Sequence, residues 1–231
     1  MTTNIQSTPN SSSSDINSLD FYISQFLNKI WTSSVVEVKG VSNSGELSPV
    51  GKVSIQPLVA QKDSSGRLVD HGIIHNVPYF RLQGGTDAVI LDPKIGDIGV
   101  ALFCNRDISA VKVSKKPSPP GSDRKFSPSD AIYMGVILNG TPSQFIRFSN
   151  DGIELISPTK VKITAPETEI NSLSIILNGA VSQGAGTNSG DASFGGTITA
   201  VGEISGNGIP LSSHKHGGVQ TGAGDTGSPV A

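Results

Sequence analysis

Across residues 141–210, apolar side chains recur two positions apart but never gather into a run large enough to form a core. Ile153 and Leu155, Val161 and Ile163, Ile175 and Leu177, and Ile198 and Ala200 share this spacing, as do Phe145 and Arg147. Gly, Asn, Ser, Thr and Pro separate them, and the only aromatics are Phe145, Phe148 and Phe194. Period two is the mark of strands, and Asn150-Asp151-Gly152, Asn178-Gly179 and Gly195-Gly196 supply the turns between them. Strands this short, with one apolar residue in two, cannot bury a core within one chain. Three chains wound about an axis can, because each turns alternate residues inward and pairs its backbone with its neighbours, leaving no free edge. The pattern therefore predicts an intertwined trimeric β-helix or prism over residues 141–207. A flexible linker is the alternative, and the Gly-rich residues 183–190 would suit it locally, but the alternation continues on both sides of them.

Composition agrees with a chain that completes its core with other chains. Of 231 residues only 5% are aromatic and 16% charged, with 27 Gly and 14 Pro, the profile of short strands and many turns. A net charge of −2 provides no basic field for nucleic acid or for anionic lipid. Cys104 is the only cysteine, so no intrachain disulfide forms; within the apolar run from Val100 it reads as a small core residue rather than a nucleophile. Residues 1–14 are polar and lack the basic start and apolar stretch of a signal peptide, so the expectation is synthesis in the cytoplasm and an arm ordered only by a partner. No apolar run approaches the roughly 18 residues of a membrane helix.

The first 32 residues read as this polar arm followed by one amphipathic helix over residues 15–31. Ile16, Leu19, Ile23, Phe26 or Leu27, and Ile30 form its stripe, behind Ser14 as N-cap and Asp15 in the first turn. Residues 33–140 read as five or six short strands: Val36 to Val41, Val53 to Leu58, Ile73 to Val77, Ala88 to Leu91, Gly96 to Cys104, and Ala131 to Leu138. That number and length suit a small β-barrel of the oligonucleotide/oligosaccharide-binding (OB) type, with the Pro-rich residues 115–121 as an exposed loop.

Residues 208–231 form the last division. Ser213-His214-Lys215-His216-Gly217-Gly218 puts two histidines two apart, so in an extended backbone they face one way and Lys215 the other. Two imidazoles are a poor metal site, and a pair of exposed loop histidines is the plain reading. On a threefold axis, however, they become six nitrogens, which suit an octahedral ion such as iron better than tetrahedral zinc.

The chain resembles the central spike, or membrane-piercing, proteins of contractile-tailed bacteriophage baseplates. In the barrel the similarity lies in Asn76-Val77-Pro78, Gly84-Gly85, and Gly96-Asp97-Ile98-Gly99 leading into Phe103-Cys104-Asn105-Arg106-Asp107. In the tail it lies in residues 209–220, from Ile209-Pro210 through His214-Lys215-His216-Gly217-Gly218 to Val219-Gln220. The resemblance implies a homotrimer whose barrels dock on a baseplate hub protein and whose β-helix ends in a needle. It also implies one iron per trimer, bound by His214 and His216 of each chain, and a virion protein that acts mechanically on the host outer membrane. Lys215 stands where the family leads one to expect a small polar residue.

No catalytic constellation is expected. Glu154, Glu167, Glu169 and Glu203 read as solvated surface of the shaft rather than an acid/base pair. His71 and His75 read as loop and strand-edge residues, a shared metal being the alternative, and Arg106-Asp107 as a local ion pair or a hub contact. No small-molecule substrate is expected. The competing functions are a receptor-binding trimeric tail fibre tip, against which the barrel argues, and a carbohydrate-active enzyme, for which a single Trp offers little platform. A fragment of residues 141–231 is expected to form a stable trimer without the barrel; sedimentation as a disordered monomer would refute the shaft.

Overall fold

The computed structural model describes residues 13–43, 45–63, 65–183, 190–215, 218 and 222. They fall into two compact units, Met1–Lys162 and Ile163–Ala231.

The first unit opens with helix α1, Asp15–Leu27. The Ser14 hydroxyl accepts the Asn17 N–H at 3.2 Å, satisfying one of the free donors at the helix start. The helix ends a turn earlier than its stripe suggests. The Lys29 and Ile30 amides bond to carbonyls three residues back, and the Trp31 N–H goes to Phe126. Trp31 then lies edge-on against Phe103 and His71, at 5.0 and 5.1 Å between ring centroids. No α1 residue is buried: Ile16 is 79% exposed and Phe26 66%.

Among the described residues nine strands follow in this region: β1 Ser33–Val41, β2 Lys52–Pro57, β3 Gln61–Lys62, β4 Leu68–Val69, β5 Ile74–Pro78, β6 Leu82–Gly84, β7 Asp87–Val89, β8 Ile98–Phe103 and β9 Ala131–Val136. Five of them make one curled sheet in the order β5-β2-β1-β8-β9, with every neighbouring pair antiparallel. β3 with β4 and β6 with β7 form small side hairpins. The sheet curls until its two edges meet at a single parallel bridge between Tyr79 and Tyr133, where the Phe80 N–H donates to the Tyr133 carbonyl at 2.8 Å. Alternate residues point inward and form the core: Val36, Val38, Val53, Ile55, Val77, Tyr79, Ala101, Phe103, Ala131 and Tyr133. Gly99 is required where β8 passes β9, because a Cβ there would run into the Gly135 carbonyl and the Tyr133 ring. Burial, with the Asp97 charge adding to it, pushes the Tyr133 hydroxyl up to about 12.

Two buried charge networks tie the loops to this wall. Arg81 and Asp92, each side chain 3% exposed, pair at 2.6 Å. Tyr79 donates to the same carboxylate oxygen, the Gly45 N–H donates to the other, and Arg81 also donates to the Ser48 carbonyl. Near β9, Asp107 accepts from the Ser109 N–H and the Ser122 hydroxyl and pairs with Arg124 at 2.8 Å. Asp130 accepts the Ile108 N–H and lies 3.4 Å from the same guanidinium. Of the two readings of Arg106-Asp107, a local ion pair or a hub contact, the first gives way to a pair between Asp107 and Arg124, which a returning loop brings to the carboxylate. Helix α2, Ser109–Ser114, lies in this connection and was not expected from the sequence; Lys115 closes it in the left-handed conformation, and residues 116–121 are the anticipated loop. Cys104 is half-buried, and burial raises its thiol, in keeping with an inert residue.

Beyond the barrel, β10 Phe145–Ser149 and β11 Gly152–Ile156 form a hairpin. One face carries the pairs Ile146/Leu155 and Phe148/Ile153, all exposed; the other carries Arg147 opposite Glu154, whose two carboxylate oxygens it meets at 2.8 Å. Across the rest of the predicted shaft, no strand is formed among the described residues from 157 to 204, and Val161, Ile163, Ile175, Leu177 and Ile198 are exposed. Among its described residues the second unit has one hairpin, β12 Ser205–Gly206 with β13 Ile209–Pro210.

The carboxyls of the networks give the barrel an acid limit. Burial works against ionised Asp92, but the Tyr79 and Arg81 hydrogen bonds outweigh it; the Ser109 and Ser122 bonds hold Asp107 well down; both titrate below their ordinary 3.8. A carboxyl depressed in the fold contributes stability that is fully present above its unfolded value and is lost as pH falls through its folded value. The barrel is therefore expected to keep its circular dichroism at about pH 4 and to lose it in stronger acid. At neutral pH, Asp92→Ala should lower the melting temperature far more than Glu37→Gln, which breaks only the part-exposed pair with Lys39; equal shifts would contradict the role given to the buried pair.

Candidate metal centre

The second unit builds its end from a two-residue turn. Asn207 and Gly208 have φ of 49° and 80°, the left-handed pair of a hairpin turn that Asn-Gly adopts readily. The pairing is symmetric about them: Gly206 with Ile209, Ser205 with Pro210, then Leu211 N–H to the Ile204 carbonyl at 2.7 Å. One step further out, Glu203 meets Ser212, accepting its N–H at 3.1 Å and its hydroxyl. These bonds, with the Ser212 hydroxyl first, hold the Glu203 carboxyl below its ordinary range. The sequence reading treated Glu203 as solvated surface. The signal that finds it is the Asn207-Gly208 turn, which once recognised fixes Ser212 as the residue across from it.

His214 follows a turn over residues 211–213 rather than standing in a strand. Its Nδ1 lies 2.8 Å from the Leu211 carbonyl oxygen. A carbonyl only accepts, so Nδ1 carries the proton and the lone pair of the neutral ring is on Nε2. This is the arrangement commonly found for a ligating histidine, whose second ring nitrogen donates to a backbone carbonyl or carboxylate. His214 and the neighbouring Lys215 are exposed. His216, the other predicted ligand, lies outside the described residues. Among the described residues no cluster of three or more His, Cys, Asp or Glu side chains comes together.

The other two histidines belong to the barrel. His75 Nδ1 shares a 2.9 Å hydrogen bond with the Ser54 hydroxyl. His71 packs edge-on against Trp31, and its carbonyl accepts from Gln56. They sit beside a cleft of about 300 Å³ that Trp31, Pro57 and Pro128 also line and to which Asp70 brings a carboxylate. Both fit their reading as loop and strand-edge residues.

A tight hairpin thus leads into the sequence His-x-His-Gly-Gly, and its first imidazole turns Nδ1 to the Leu211 carbonyl. Residues 208–230 match the GpV Apex motif, the metal-binding tip motif of phage central spike proteins. The match begins at the hairpin's Gly208 and includes both His214 and His216. No curated protein matches the chain.

Proposed function

We propose that this protein is the central spike of a contractile phage tail, a homotrimer that docks on the baseplate hub and transmits sheath contraction to pierce the host cell envelope. The observation that carries the reading is the apex match over residues 208–230. Three features of the single chain support it. The alternating apolar residues of 157–204 lie exposed and unpaired by strands, as a shaft shared among chains would leave each one. The β10–β11 hairpin turns an apolar face outward, although a lone two-stranded hairpin is marginal in water. The curled sheet, with its β5-β2-β1-β8-β9 order and parallel β5/β9 closure, suits an OB-like docking barrel.

The work is mechanical, and no substrate is turned over. His214 presents Nε2 while its Nδ1–H is held by Leu211, and His216 is assigned to the same ion. When bound, an octahedral iron would cross-link three chains at the narrow end of the needle, where they share the least core. In the shaft, resistance to bending comes from backbone hydrogen bonds between chains, many of which must break together.

Elemental measurement on the purified protein is expected to find one iron per trimer. His214→Ala and His216→Ala should each abolish it while the trimer persists, with protease cleavage newly confined to the tip. A metal-free wild-type tip of equal resistance would refute the site, as would zinc at one ion per chain. The exposed stripe of α1 is assigned to the hub or a neighbouring baseplate protein. Deleting residues 1–31 should leave the trimer intact but weaken its incorporation into particles; undiminished incorporation would remove α1 from that role.

A further inference from the structure

We infer that Glu203 is a positioning residue of the apex metal site, acting on His214 through the turn that the hairpin delivers. The inference rests on the reading of His214 as a ligand.

Two links connect the carboxylate to the imidazole. Glu203 holds Ser212 by both its N–H and its hydroxyl, across nine positions of sequence. Ser212 is the residue after Leu211, and the Leu211 carbonyl holds the His214 Nδ1–H at 2.8 Å. Leu211 is itself anchored by its N–H to the Ile204 carbonyl, next to Glu203. The turn of residues 211–213 therefore hangs from two neighbouring residues on the other arm of the hairpin, just before β12, one acting through its backbone and one through its side chain.

The side-chain bond matters because of where the ladder stops. Pro210 can donate no backbone hydrogen bond, and strand pairing ends at Ile209–Pro210. Past that point the backbone contributes the Leu211 N–H bond, and residues 211–214 are exposed, with no buried packing to hold the turn. An ionised carboxylate accepting two hydrogen bonds is a stronger tie than a neutral acceptor. It restricts the rotation of the 211–212 peptide, which sets the direction of the Leu211 carbonyl and hence of the imidazole plane. Metal ligation by three copies of a chain requires each ring to arrive in the same orientation, and hydrogen-bonded partners outside the ligand shell generally set that orientation.

The test uses the full-length protein loaded with cobalt(II), a paramagnetic octahedral probe. Two quantities are read: cobalt affinity by chelator competition, and the solvent-exchangeable, hyperfine-shifted proton resonance of the ligating ring's N–H. Wild type should show that resonance. Glu203→Ala should weaken cobalt binding by about 10- to 100-fold and broaden or remove the N–H signal. Glu203→Gln keeps an acceptor for the Ser212 N–H and should stay within a few fold of wild type with its signal present. Ser212→Ala, which leaves the carboxylate and the amide bond in place, should cause a smaller loss and a shifted signal, and it decides the matter if Glu203→Ala does not assemble. Wild-type affinity with an unchanged N–H signal in Glu203→Ala, or in Ser212→Ala where that variant decides, would overturn the inference and leave the metal site standing. Wild-type cobalt affinity in His214→Ala would overturn both.

Discussion

The two edges of the curled sheet are joined by very little backbone. Along most of its wall neighbouring strands share long antiparallel ladders, but where β5 returns to β9 a single parallel bridge at Tyr79 and Tyr133 joins the two edges. What secures that seam lies in side chains. Tyr79 and Tyr133 are both core residues, and the Tyr79 hydroxyl reaches out to the carboxylate that Arg81 neutralises. The carboxylate in turn holds Gly45, and the guanidinium holds Ser48, in the loop between β1 and β2. One buried ion pair therefore joins the seam to a loop on the far side of β2. Such a pair adds little over a well-packed apolar substitute, but losing one partner strands a buried charge.

The contrast between the two units is a contrast in where burial is possible. In the barrel, alternation serves a closed surface: inward Val, Ile and Tyr meet one another across the sheet, and each fully buried aliphatic contributes about 1.5–3 kcal/mol relative to exposure. In residues 163–204 the same alternation meets nothing within the described chain, so no comparable stabilisation is available to it alone. At 203–214 the second unit uses hydrogen bonds about a tight turn rather than apolar contact.

What the sequence disclosed follows from the same physics. Strand positions in the barrel could be read because Val36/Val38 and Val53/Ile55 alternate against a buried interior, and α1 because its cap and stripe are both local. The end of α1 was not legible: Trp31 leaves the helix for Phe103 and His71, partners distant in sequence. The Arg81–Asp92 pair has no periodicity to betray it, and the partner of Asp107, Arg124, lies across a loop rather than next to it in sequence. At the tip, the two histidines declared themselves by spacing, whereas the hydrogen bond fixing the His214 tautomer depends on a turn that spacing alone does not reveal.

The Asn207-Gly208 turn also bears on the order in which a spike could assemble. A short hairpin with a favoured turn forms in about 1–10 μs from residues of a single chain, whereas strands shared among chains must wait for their partners to meet. A period-two strand that slips by one residue exposes every side chain meant for the interior, so whichever contact forms first decides whether later layers align. Because the hairpin fixes its own register before any encounter, each chain of the trimer proposed above would bring one element already in phase to the first contact.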